Sequence, residues 1–258
     1  MRRALAAVLA CGVAACSSPA SDPPPTSAGP GPFAPPTDLT ATLTTPLDIE
    51  LRWKDNATHE GGYFVEGYYV GQAPTTQEFV ILEALPPDTT SYTHTKLLPE
   101  TRFVYRVRPF FGRASNVSEV VTGKEGPPQV TVPEPTRATP AAGAVRASLR
   151  SAESEAMAAA TDLRATLLPP TGIQLEWKDH AGNEDQYMIE VRSPDTGDWR
   201  PSTFEPADTT AWVSYNFDAE TPFAFRVRAF VYGEPSNVVE KTTGTDPSMA
   251  PGKWKPVQ

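Results

Sequence analysis

A stretch of about 85 residues occurs twice in this chain, and apolar and polar residues alternate within each copy. Thr37-Asp38-Leu39-Thr40-Ala41-Thr42 returns as Thr161-Asp162-Leu163-Arg164-Ala165-Thr166. Ile49-Glu50-Leu51-Arg52-Trp53-Lys54-Asp55 returns as Ile173-Gln174-Leu175-Glu176-Trp177-Lys178-Asp179 at the same spacing of 124. Asp88-Thr89-Thr90 and Asp208-Thr209-Thr210 stand 120 apart, and Ser115-Asn116-Val117 and Ser236-Asn237-Val238 stand 121 apart. The spacing changes only between matched blocks, as insertions in loops would change it, so two units share one ancestor. Ile49, Leu51 and Trp53 alternate with Glu50, Arg52 and Lys54. Phe103, Tyr105 and Val107 alternate with Arg102, Val104, Arg106 and Arg108. A period of two means strands with one buried and one wet face. Strand runs recur every ten to fifteen residues between Pro, Gly, Asp and Asn, which predicts about seven short strands per copy and an antiparallel β-sandwich.

Particular motifs sharpen this expectation. Leu51-Arg52-Trp53 and Leu175-Glu176-Trp177 occupy the second strand. Trp53-Lys54-Asp55-Asn56 leads through Glu60 to Tyr63-Phe64-Val65-Glu66, and the second copy keeps Trp177, Asp179, Glu184, Tyr187, Ile189 and Glu190. Leu97-Leu98-Pro99-Glu100-Thr101-Arg102-Phe103 forms a turn motif, with Phe217 to Phe223 as its counterpart. In these motifs each copy resembles a fibronectin type III domain. The resemblance covers residues 36–123 and 160–245. It implies an all-β chain of two immunoglobulin-like antiparallel sandwiches in tandem, joined by a Pro/Ala-rich linker at 124–159. Where such domains carry a corner tyrosine, this chain has Phe103 and Phe223, which keep the packing and lose a hydrogen bond.

The flanks read differently. Arg2 and Arg3 precede twelve uncharged residues, Ala4 to Ala15, the pattern of a secretory signal, and too few to span a bilayer. Val13-Ala14-Ala15-Cys16 resembles the lipobox of bacterial lipoproteins, which implies cleavage after residue 15 and acylation (palmitate among the chains) at Cys16. Cys11, after Val8-Leu9-Ala10, is a second candidate that leaves a shorter apolar run, and a plain cleaved signal is the third reading. A chain starting at Cys16 has one cysteine and forms no internal disulfide. Residues 16–35 are rich in proline and suit an extended tether, reaching about 60 Å if wholly polyproline-like. The linker carries five prolines in its first half and Ala, Glu, Arg and Ser in its second, which favours a short helix there. Residues 246–258 form a tail.

Lys+Arg is 22 and Asp+Glu is 31, a net charge of −9. That balance excludes nucleic acid as a partner. It also means that an anionic lipid surface does not hold the body electrostatically, so membrane attachment must be covalent. His59, His94 and His180 sit in no nucleophile–His–acid pattern, and no phosphate loop or zinc motif occurs. The acidic cluster Asp55, Asn56, Glu60 and its counterpart Asp179, Asn183, Glu184, Asp185 reads as loop architecture more readily than as a metal cage. No catalytic residue, cofactor, metal or small-molecule substrate is expected. Trp53 and Trp177 belong to the core. Trp199, Tyr232 and Tyr69 are the candidate partner-binding aromatics, with Tyr68, Phe110 and Phe111 also expected at the surface, and Trp199 lacks an evident counterpart in the first copy. The resulting expectation is a lipid-anchored, non-catalytic lipoprotein of the bacterial envelope, at the outer membrane because Ser17 follows the anchor. It would bind a protein or polysaccharide, adhere, or act as a spacer. An accessory carbohydrate-binding protein and a hydrolase with an unseen site are the alternatives.

Overall fold

The computed structural model describes residues 31–70, 78–126, 158–192, 195–215 and 217–245. The signal segment, Cys16, most of the tether, the helix expected in the linker, and the tail lie outside them. The first copy supplies β1 (Thr37–Thr45), β2 (Asp48–Lys54), β3 (Gly62–Val70), β4 (Val80–Leu85), β5 (Ser91–His94), β6 (Arg102–Phe111) and β7 (Ser118–Val121). The second supplies β8 (Thr161–Leu168), β9 (Gly172–Lys178), β10 (Gln186–Arg192), β11 (Trp199–Pro206), β12 (Ala211–Ser214), β13 (Pro222–Tyr232) and β14 (Val239–Thr242). The protein is all-β: the described residues hold no α-helix.

Each sandwich sets a three-stranded sheet, β1-β2-β5 or β8-β9-β12, against a longer one. Alternation places the core where the sequence predicts. Ile49, Leu51, Trp53, Tyr63, Val65, Tyr105 and Val107 fill the first sandwich, and Ile173, Leu175, Trp177, Tyr187, Ile189, Phe225 and Val227 fill the second. Both Trp53 and Trp177 are 5% exposed. The Trp-x-Asp motif has a local role. Tyr63 donates its hydroxyl hydrogen to Asp55, and Tyr187 donates to Asp179 at 2.5 Å. Those carboxylates also accept the amides of Ala57 and Ala181, closing the loop after the second strand. Burial and the adjacent carboxylate both raise the Tyr63 and Tyr187 pKa values, so both phenols stay protonated as donors.

The last strand of each copy does not return to its own sandwich. β7 pairs with β13, Ser118 opposite Phe225, and β14 pairs with β6, Val239 opposite Tyr105. The exchange is reciprocal and its contacts are nearly equivalent. Ser115 donates its amide to Val227 and accepts the Val227 amide on Oγ. Ser236 does the same with Val107. Asn116 makes two bonds to the Leu163 backbone, and Asn237 two to Leu39. These bonds tie each arriving strand to the first strand of its host. The corner that lost its tyrosine is held from the far copy as well. Thr243 Oγ1 donates to Leu98 and accepts from Thr101, and Thr122 Oγ1 donates to Asp218 and accepts from Thr221.

At the crossover β6 and β13 pair directly, Phe111 opposite Val231 and Phe110 opposite Tyr232, fusing the two longer sheets into one. Phe111 and Val231 are counterparts in the repeat, so a local two-fold axis passes between them, the symmetry of an isologous dimer within one chain. Gly112 is required there. Its φ is 153°, and a Cβ would lie 2.0 Å from the Ala229 carbonyl oxygen. The end of the expected tether also lies on the body. Gly31 donates to Asn56, whose side chain donates to the Pro35 carbonyl, and Phe33 packs edge-on against Phe111.

Candidate functional site: the groove at the junction

Fusing the sheets covers a face that alternation alone marks as wet. Glu66, Arg106 and Arg108 point away from the first core, and Glu190, Arg226 and Arg228 away from the second. Both glutamates are nevertheless 5% exposed and Arg228 is 8%. Each glutamate bridges two arginines. Arg226 makes a bidentate pair with Glu190 at 2.7 and 2.8 Å, and Arg228 adds a third bond at 3.3 Å. Arg106 bonds Glu66, with Arg108 Nε at 3.4 Å. Burial pulls the Arg228 pKa below the ordinary arginine value, and the Glu190 charge works against that pull. In the second copy the Glu190 carboxylate hydrogen-bonds both guanidiniums as the face is covered, whereas in the first the buried Arg108 Nε stands at ion-pair distance from Glu66 without a hydrogen bond.

Aromatic rings complete each arrangement. Arg226 lies over Trp199 at 4.4 Å, and Arg106 over Phe79 at 4.0 Å. Trp199 therefore has a counterpart: Phe79, at the spacing of 120 set by the Asp-Thr-Thr blocks. The sequence reading missed it because the neighbouring residues differ. Between the arginines Phe64, Phe110, Met188 and Phe230 form a third apolar cluster belonging to neither sandwich. Phe110 and Phe111, expected at the surface, are each 3% exposed: Phe110 packs in this junction and Phe111 joins the second core.

On one side of the junction the packing leaves an open groove of about 980 Å³. Trp199, Arg200, Arg226 and Arg228 form one wall; Glu83, Ala84 and Arg113 form the other; Phe110 and Met188 contribute apolar surface. Among the described residues the lining holds four arginines, four carboxylates and His59, and no serine, cysteine or lysine.

The candidate aromatics do not form one row. Trp199 lines the groove. Tyr232 is half-buried across the junction, bonded through its hydroxyl to Gln186, its pKa pushed up to about 12 by burial and then by the Glu66 charge. Tyr69 is 47% exposed at the far end of β3, beside Phe103. The histidines are dispersed: His94 bonds Tyr105, His59 bonds Thr58 and His180 bonds Thr161. The acidic loops gather Asp55, Glu60 and Asp88 in one copy and Asp179, Glu184 and Asp208 in the other, with oxygens within 4.8 Å of one another. Glu60 and Glu184 accept the amides of Asp88 and Asp208, which both have left-handed backbone (φ 60° and 61°). These carboxylates thus brace the loop before the fifth strand of each sandwich. Asn56 binds residues 35 and 37 instead, and Asp185 accepts the Tyr232 amide.

No protein-family profile matches the sequence. Solved structures similar to parts of it include the FN5 domain of Drosophila Lar, at 25% identity over 28% of this chain and 73% of that one, with a TM-score of 0.23. An FN3 domain of human collagen XX matches at 21% over 33% and 83%, TM-score 0.25. An Fn3-like protein from Clostridium thermocellum matches at 21% over 31% and 77%, TM-score 0.25. At such scores the assignment rests on strand order and register. On those grounds the chain consists of two immunoglobulin-like sandwiches of fibronectin type III type, which complete each other.

Proposed function

We propose that this protein is a non-catalytic binding and spacer module of a bacterial cell envelope, held by lipid on Cys16 and presenting its two sandwiches as one stiff body. The reciprocal strand exchange carries the reading. Two sandwiches on a flexible linker would swing independently, whereas here neither is complete without the other. A linkage of this kind suits a protein that must hold a surface at a fixed geometry some distance from its anchor. The lipobox-like Val13-Ala14-Ala15-Cys16 and the proline-rich residues after it supply the anchor and the stalk. Without Arg2 and Arg3 the body carries 20 − 31 = −11, so attachment to an anionic bilayer falls to the lipid.

Two observations favour binding over catalysis. The groove lining offers no serine, cysteine or lysine nucleophile among the described residues, and its innermost carboxylate, Glu190, is committed to two guanidiniums. The test is fractionation of cells expressing Cys16→Ala and Cys11→Ala. Cys16→Ala should move the protein from the membrane to the soluble fraction, and Cys11→Ala should leave it bound. Retention of Cys16→Ala at the membrane would refute the anchor.

A further inference from the structure

The two copies are related by a local two-fold axis, so the two sides of their junction should look alike, and they do not. On one side Phe64, Phe204 and Tyr232 fill the space. Phe64 meets Phe204 at 5.6 Å and Tyr232 at 5.7 Å, and the Arg108 guanidinium covers the Tyr232 ring at 5.3 Å. The repeat puts Met188 where Phe64 stands, Ala84 where Phe204 stands, and Gly112 where the inserted Tyr232 reaches in. Three smaller or more pliant side chains on the other side leave the groove. In place of the Tyr232 ring, Arg228 donates to the Gly112 carbonyl at 2.8 Å. Apolar packing would favour filling both sides, yet among the described residues aromatic rings crowd one side and the other is left open.

The open side has a definite chemistry. Its volume lies at the upper end of the ~300–1,000 Å³ usual for ligand pockets. Among the described residues four arginines and four carboxylates line it, so the charges balance and give no net attraction for a polyanion or a polycation. Guanidiniums only donate hydrogen bonds and carboxylates only accept them, whereas a hydroxyl does both. A ligand dense in hydroxyls satisfies such a lining without carrying charge. Trp199 adds a half-buried ring to the lining, with the Arg226 guanidinium 4.4 Å and that of Arg192 5.6 Å from its centroid. The negative face of an indole suits the C–H face of a pyranose.

We propose that this groove binds a neutral oligosaccharide, with Trp199 as its stacking platform and the Arg–carboxylate pairs around it reading the hydroxyls. The proposal deepens the binding role above and rests on it. Isothermal titration calorimetry of the full chain with cellohexaose, chitohexaose and maltohexaose tests it. At least one should bind. Trp199→Ala should weaken that binding at least tenfold. Ala84→Phe, which copies the plugged side, should abolish it while leaving the circular dichroism spectrum and melting temperature near those of the parent. If none of the three binds, or if binding survives Ala84→Phe in a folded protein, the proposal is wrong. It is equally overturned if polygalacturonate or a proline-rich peptide occupies the groove and the neutral sugars do not. Fractionation of Trp199→Ala separates the two readings. Retention at the membrane with lost sugar binding supports the groove, and retention with unchanged sugar binding refutes the groove while the envelope role stands.

Discussion

Replacing Ser236 by alanine should loosen the first sandwich, although Ser236 belongs to the second copy. Ser236 is 6% exposed, and its Oγ accepts the amide hydrogen of the fully buried Val107 at 3.0 Å. Alanine leaves that amide without an acceptor in a site water does not reach. Stranding a buried donor costs about 1–3 kcal/mol. Since each 1.4 kcal/mol is tenfold, the Val107 amide should exchange with solvent deuterium about five- to 150-fold faster. Native-state hydrogen exchange followed by NMR reads this directly. The Val227 amide, bonded to Ser115 Oγ at 3.0 Å, is the internal control and should keep its protection. Ser115→Ala should give the mirror result, releasing Val227 and sparing Val107. If Ser236→Ala releases Val227 instead, each last strand folds back on its own copy, and both the exchange and the stiff two-lobed body are refuted.

A cross-link probes the same exchange by another route. Arg102 and Thr242 face each other across β6 and β14; opposed Cα atoms in such a ladder stand about 4.5–5.5 Å apart, within disulfide reach. With Cys11 and Cys16 changed to serine, Arg102→Cys/Thr242→Cys should oxidise spontaneously. It closes a loop of about 140 residues, worth at most about 5 kcal/mol in the chain-entropy account, and a calorimetric scan should show a higher melting temperature than in the reduced protein. Arg102→Cys/Val121→Cys, the pairing of a self-closed copy, should stay reduced. Acid stability should depend on His94, which is half-buried with its ring nitrogen 3.1 Å from the Tyr105 hydroxyl. Burial lowers its pKa, so the unfolded chain binds the proton more readily than the folded one. Stability then falls as pH drops below about 6.5, by no more than about 1.4 kcal/mol per pH unit from this group. Urea unfolding of His94→Gln between pH 5 and 6.5 should show a flatter profile than the parent, and an identical slope would refute the assignment.

Several features were legible before any tertiary contact was known. The paired blocks Leu51-Arg52-Trp53 and Leu175-Glu176-Trp177 locate both cores, because a period of two admits one inward face and only these residues suit it. The Asp two residues after each tryptophan was legible as a loop-former, since a short carboxylate can reach amides nearby in the chain. The site was much less so. Arg106, Arg108, Arg226 and Arg228 alternate outward and read as solvated. The burial of Arg228 and the partial cover of the other three come from a second sheet edge that no local pattern announces. Trp199 was legible as unusual, whereas its partners Arg226, Met188 and Ala84 were not, because the groove follows from a difference between two sides that exist only once the copies meet.

Local alternation and turn residues thus determined what the pieces are: strands, which faces are oily, and two sandwiches of one type. The destination of each last strand was beyond such rules. Ser115-Asn116-Val117 and Ser236-Asn237-Val238 are the same three residues, so either sandwich offers either segment nearly the same hydrogen bonds. With local energies so closely matched, the choice passes to what differs between the arrangements. Those differences are the direct pairing of β6 with β13, the close approach at Gly112 and the ring cluster around Phe64, all of which exist only in the assembled tertiary structure.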